Sequence, residues 1–168
     1  TIGEPRITDI KAFAEHNEDE ILTMAAAVER YSEHPLSKAI IKKAEDEGIH
    51  IPEPQDFQII PGQGVRARYN GISVLLGSRE LLKGGKVTLT AEIEAYMKAR
   101  EEEGKTALLI SHDSEVCGVI AVADIVRKES IEAIKAIKDA GIKNVIMLTG
   151  DNWRTARAIA NQVGIENV

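Results

Sequence analysis

One cysteine, one tryptophan and an aromatic fraction of 4% stand in a chain of 168 residues. The single Cys117 can form neither an internal disulfide nor a cysteine-pair metal centre, which fits a reducing compartment. No apolar run approaches the roughly 20 residues that a membrane-crossing helix needs. The N-terminus also lacks the basic segment followed by an apolar one that marks a signal peptide. Positive charge is in deficit: 21 Lys and Arg against 27 Asp and Glu leave a formal net charge of -6. Nucleic-acid binders carry basic surfaces, so nucleic acid is excluded as the expected partner. Internal repeats and low-complexity segments are missing too. What remains is a 43% hydrophobic chain, long enough for one compact domain or a domain plus part of a second.

Two structural grammars share the chain. Arg6 to Ala14 reads as a strand, and Asn17 with Glu20 predicts a capping box for a helix buried through Ile21, Leu22, Ala25 and Val28. That helix should break near Ser32-Glu33-His34, with Pro35 starting another whose buried stripe is Leu36, Ala39, Ile40 and Ala44. Phe57 to Ile60 is a candidate strand, and Val65–Tyr69 and Ile72–Leu76 flank Asn70-Gly71, a strong hairpin signal. A short helix after Gly77, a helix capped by Thr90, and strands over Thr106–Ile110 and Val116–Val122 complete the first unit. From Ala123 the pattern changes to a helix with Ile131, Ile134 and Ile137 inward, a nearly continuous apolar strand Val145–Leu148, a polar loop, and a last helix on Ala156, Ile159, Ala160 and Val163. Helix, buried strand, loop, helix is the order of a parallel α/β fold.

Three places invite a phosphate. Gly104-Lys105-Thr106 ends like a P-loop, but it lacks the earlier glycine and follows a helix instead of preceding one, so a helix C-terminus is the better reading. Gly62-Gln63-Gly64 is not followed by a helix, which removes a dinucleotide fingerprint. It leaves either a close backbone approach to a ligand or an ordinary turn, and Gly77 shares that ambiguity. His34 is either a solvated capping side chain or a ring laid against a flat base, with Glu29 and Glu33 nearby. No second histidine or cysteine has the spacing to make His34 a metal ligand. Thr149-Gly150-Asp151, after an apolar run and before a helix, could bind phosphoryl oxygens and serve magnesium, or simply cap the helix.

Together, Ser32-Glu33-His34-Pro35-Leu36, Pro61-Gly62-Gln63-Gly64-Val65 and Leu148-Thr149-Gly150-Asp151-Asn152 resemble, in order and spacing, the heavy-metal-transporting P-type ATPases. Thr1-Ile2-Gly3-Glu4-Pro5 resembles the stretch immediately after the phosphorylated aspartate segment of that family. The resemblance covers essentially the whole chain and favours the copper branch, with silver, zinc and cadmium open. It implies an α/β (α+β) architecture. Residues 1–8 would be the end of the phosphorylation-site segment and a linker, 9–118 a nucleotide-binding domain with a mainly antiparallel sheet flanked by helices, and 119–168 part of a haloacid-dehalogenase-like phosphorylation domain.

The resemblance also implies roles. His34 would pack on adenine, and Glu29 would read its amino group. Gly62, Gly64 and Gly77 would border the nucleotide. Thr149, Gly150 and Asp151 would form the loop near the phosphorylation site, and Asp124, with Arg127, would mark the junction between domains. Residues near 9 and 120 would be the hinges. Ser78 departs from the asparagine frequent in the copper branch. The partners implied are ATP with magnesium and, in a membrane pump, actuator and transmembrane domains, this part being cytoplasmic. The phosphorylated aspartate and the later magnesium-binding segment would lie outside these residues, so the chain is expected to hold nucleotide without turning it over, and to carry no metal site of its own. Two rivals stand beside this: a haloacid-dehalogenase-type phosphohydrolase with residues 9–118 as its cap, and a non-catalytic adenine-nucleotide-binding module.

Overall fold

A computed structural model describes residues 4–168; Thr1-Ile2-Gly3, part of the expected linker, lie outside the described residues. The first unit is β1 (Arg6–Ala12), α1 (Glu18–Glu29), α2 (Pro35–Asp46), β2 (Gln55–Ile60), β3 (Gly64–Tyr69), β4 (Ile72–Gly77), α3 (Arg79–Gly84), α4 (Ala91–Glu102), β5 (Thr106–His112) and β6 (Glu115–Ala123). Two further helices follow, α5 (Lys128–Asp139) and α6 (Trp153–Val163). The strands form one six-stranded sheet in the order β1-β6-β5-β4-β3-β2, and every neighbouring pair is antiparallel.

Alternation along the strands builds two cores. Val74 and Leu76 of β4 face α1 and α2, joining Ile21, Leu22, Val28 and Ile40. Leu75, between them, faces the other way and joins Leu82, Ile93 and Met97 of α3 and α4. The sheet is thus covered on both faces, the α+β arrangement expected. The lone thiol, Cys117, is buried at the α1 face, and burial pushes its pKa up to about 12, which keeps it protonated and inert.

Local chemistry explains the helix starts. The Asn17 side chain accepts from the Glu20 amide at 3.0 Å while the Glu20 carboxylate accepts from the Asn17 amide at 3.2 Å. We expect Asn17→Ala to cost about 1 kcal/mol of stability in thermal or urea denaturation, from the loss of this cap. His34 caps α2, its Nδ1 accepting from the Leu36 amide at 3.2 Å, with Pro35 in the first turn. Asn70 and Gly71, both at positive φ, turn β3 into β4.

The structure departs from expectation in three places. Val145–Leu148 forms no strand: a single parallel bridge joins Ile146 to Asn167. Val145 and Met147 pack against Ala160, Val163 and Ile165, while Ile146 and Leu148 are 70% and 98% exposed. An apolar run buries both faces only between flanking strands and helix layers, and here one short segment covers one side. For the same reason α5 has no fully buried residue; Ile134 packs inward, but Ile131 and Ile137 stay on the surface. Finally, the positions expected as hinges lie inside paired strands, with Asp9 opposite Ala121 and the pairing running out to Arg6 opposite Ala123.

Candidate functional site

The start of β3, the end of β4, the start of β5, the C-terminus of α1 and the N-terminus of α2 meet around a cavity of about 590 Å³. Its lining contains eight of the residues singled out from sequence: Glu29, His34, Gly62, Gly64, Gly77, Thr149, Gly150 and Asp151. Asp124 is not brought there; it sits half-buried just past the end of β6.

Glu29 ends α1 and is buried. Ser37 Oγ gives its proton to Glu29 Oε2 at 2.7 Å and lies 2.8 Å from Ser32 Oγ. Burial pushes the Glu29 carboxyl above its ordinary pKa, against the opposing pull of the Ser37 and Ser32 hydroxyls and of nearby His34. Such a carboxylate gains from any further hydrogen-bond donor that excludes water. The His34 ring is exposed beside it. Because Nδ1 accepts from the Leu36 amide, the neutral ring carries its proton on Nε2 and leaves both faces of the imidazole to a partner.

The glycines divide by role. Gly64 and Gly77 are paired across β3 and β4, both at positive φ. A methyl group at Gly77 would collide with the Gln63 carbonyl oxygen and come within 2.8 Å of Gly64 Cα; one at Gly64 would meet the Leu76 carbonyl and lie 2.7 Å from Gly77 Cα. The fold itself demands both. Gly62, at φ +72, has open space around its missing side chain, so its conformation and not crowding calls for glycine. Ser78 is occupied structurally, its amide donating to the Gln63 carbonyl at 2.7 Å and its hydroxyl capping α3.

Thr149-Gly150-Asp151 closes on itself, with Thr149 Oγ1 donating to Asp151 Oδ2 at 2.8 Å and accepting from the Asp151 amide at 3.1 Å. Asn152, not Asp151, caps α6 through the Arg154 and Thr155 amides. The Asp151 carboxylate is therefore not consumed by capping. Lys105, of the P-loop-like run, is committed to Asp9 at 2.8 Å and Glu103 at 2.7 Å, which leaves no phosphate role for it.

Sequence reasoning missed a buried carboxylate. Glu101 of α4 is fully buried in the cavity wall. It accepts from both terminal nitrogens of Arg79, the residue after Ser78, and from Arg154 Nη1 at 3.1 Å. Arg79 Nε also donates to Glu94 at 2.7 Å, and although burial works against its charge, Glu101 and Glu94 hold its pKa above the ordinary value. Glu101 thus ties α3, α4 and α6 together, and Thr155 Oγ1 adds a bond to the Lys105 carbonyl at 2.8 Å. The signal was present: Ile93, Met97 and Glu101 recur every four residues on one helical face, so an acid sat in an apolar stripe.

A family model for haloacid dehalogenase-like hydrolases matches residues 1–168. The chain belongs to that family. Within it, the relatives are heavy-metal P-type ATPases, as the three motifs implied. The copper-exporting P-type ATPase of Bacillus subtilis (strain 168) is 44% identical over 168 residues, covering 100% of this chain and 21% of the relative. A zinc-transporting PIB-type ATPase in its E2.Pi state superimposes with a TM-score of 0.71 at 34% identity, over 100% of this chain and 27% of that one. The N-domain of HMA6, a copper-transporting P-type ATPase, matches 71% of this chain and 99% of its own length, with a TM-score of 0.61 at 27% identity. This haloacid dehalogenase-like chain therefore spans about a fifth of the curated P-type ATPase it matches. Among its described residues no helix is long and apolar enough to cross a membrane.

Proposed function

We propose that the chain is the ATP-binding cytoplasmic portion of a heavy-metal-translocating P-type ATPase of the copper branch. In this reading the exposed His34 ring stacks on adenine, and the desolvated Glu29 carboxylate accepts from its exocyclic amino group. The backbone at Gly62 approaches the nucleotide, and the Thr149–Asp151 loop receives the phosphate end. The observation that carries it is that one cavity is lined at once by the Glu29–His34 pair, the glycine turn and the Thr149–Asp151 loop. Residues 9–118 act as the nucleotide domain and the later residues as part of the phosphorylation domain. In the whole pump, Asp124 lies at their junction and the γ-phosphoryl group passes to an aspartate outside these residues, the actuator and transmembrane domains using that step for transport. The portion alone holds nucleotide without turning it over.

The cavity's charge bears on magnesium. The carboxylates of Glu29, Glu80, Glu101 and Asp151 outnumber the guanidinium of Arg79, which is itself neutralised by Glu94 and Glu101. A free triphosphate is repelled by such a lining, and magnesium borne by the nucleotide offsets that repulsion. Among the described residues no group of three ligating side chains converges to hold the ion, so Asp151 would contact it as one ligand beside the phosphates.

Calorimetric titration tests this. ATP should bind saturably, more tightly with magnesium and more tightly than GTP. His34 also caps α2, so His34→Ala mixes two losses; His34→Asn keeps a good capping acceptor and removes the ring. We expect His34→Asn to weaken ATP at least tenfold with the melting temperature unchanged. Binding indifferent to this substitution would overturn the adenine assignment and move the site to Thr149 and Asp151, as in a phosphohydrolase.

A further inference from the structure

His16 and His112 lie outside the cavity. His16 directly precedes the α1 cap, and His112 ends β5, where Asp113 turns the chain at positive φ. His16 Nε2 and His112 Nδ1 are 3.2 Å apart, their rings edge to face with centroids 5.0 Å apart. On its far side, His16 Nδ1 is 3.2 Å from Glu20 Oε2, the same oxygen that accepts from the Asn17 amide in the capping box. The capping box thus fixes Glu20, and Glu20 fixes His16. A carboxylate accepts only, so Nδ1 of His16 carries the proton and its Nε2 presents a lone pair to His112. His112 answers it only by holding its own proton on Nδ1. With that proton shifted to Nε2 of the His112 ring, two lone pairs meet and one cation satisfies both.

We propose that His16 and His112 form a two-imidazole site for a divalent transition-metal ion of the zinc or copper(II) type, oriented by Glu20 and completed by water. Two imidazole nitrogens bound at about 2.0–2.1 Å on a tetrahedral ion stand roughly 3.3 Å apart, close to the 3.2 Å observed. Directing both lone pairs at one ion asks each ring to swing by roughly 40° from the line joining them, a change of side-chain torsions. A carboxylate on the far ring nitrogen is the usual companion of a metal-bound histidine, where it orients the ring and raises its basicity. Both rings are half-buried, so they are restrained yet reachable. Among the described residues no third ligand completes the set, so binding is weaker than at a closed structural zinc site. A bound ion would clip the N-terminus of α1 to the β5–β6 turn.

The test uses the untagged chain, freed of metal with a chelator and titrated with zinc chloride without nucleotide, with thermal melts alongside. One ion per chain should bind saturably and raise the melting temperature. His16→Ala and His112→Ala should each weaken it at least tenfold, Glu20→Gln less so, and His50→Ala not at all. If His112→Ala fails to fold, His112→Gln, which keeps a donor toward His16, carries the same test. Absence of saturable zinc binding, or binding that persists in the double His16→Ala/His112→Ala variant, overturns the site.

Discussion

Alanine at Gly77 is expected to cost about 3–5 kcal/mol, lowering the melting temperature by roughly 10 °C. The loss has two sources. The added methyl has nowhere to go, because it meets the Gln63 carbonyl and Gly64 Cα, backbone that cannot rotate away. The positive φ at Gly77 is also strained for any residue with a side chain. Gly64→Ala should behave alike, since the two glycines face each other. Gly62→Ala meets no atom within 4 Å and should cost only the strain of its positive φ, about 1–2 kcal/mol. Denaturant unfolding of the three variants decides it: equal losses would mean that the β3–β4 pairing relaxes to admit a methyl. The contrast also separates fold from ligand. Reduced nucleotide binding in a folded Gly62→Ala speaks for close approach, whereas the same loss at Gly77 reports a broken sheet end.

Glu101→Ala should be as damaging, at about 3–5 kcal/mol, because it strips Arg79 of a buried partner and Arg154 of its anchor. Arg154→Ala should cost much less: its side chain is 45% exposed, and Arg79 still pairs with Glu101. Replacing Glu101, Arg79 and Arg154 together by apolar residues of similar volume should recover most of the stability, since an ion cluster repays its desolvation poorly. A Glu101→Ala variant within about 1 kcal/mol of the parent would show that water replaces the carboxylate. Hydrogen exchange would show a second effect: α6 should lose protection before the sheet does, because its ion-pair tie to α4 and α3 runs through Glu101.

Most of the first unit was legible because its signals are local. Asn17 with Glu20, Pro35 after His34, and Asn70-Gly71 each fix backbone geometry within four residues, and each appears where the spacing put it. The candidate site residues stood out as motifs, and eight of them line one cavity. The features that stayed hidden depend on partners remote in sequence. Val145–Leu148 reads as a buried strand, but burial is decided by neighbours, and Leu148 is almost wholly exposed. Spacing cannot say that Gly64 and Gly77 are needed for each other, because the reason is a pairing between two strands. Nor can it say that an acid at position 101 meets an arginine at position 154, although the acid's place in an apolar stripe announces that something must.

The antiparallel pairing of β1 with β6 has a mechanical corollary. With Arg6 opposite Ala123, the chain goes in and comes out of the sheet side by side, about 5 Å apart at the backbone. Everything between is held like a parenthesis in a sentence, opened and shut at one point. Whatever lies beyond that point feels the sheet unit through a two-stranded stem and the contacts that α6 and the loop before it add. Such a unit can pivot as a rigid body without any strand of its own unpairing. It could also be cut out at the stem, or grafted into another loop, without disturbing its pairing.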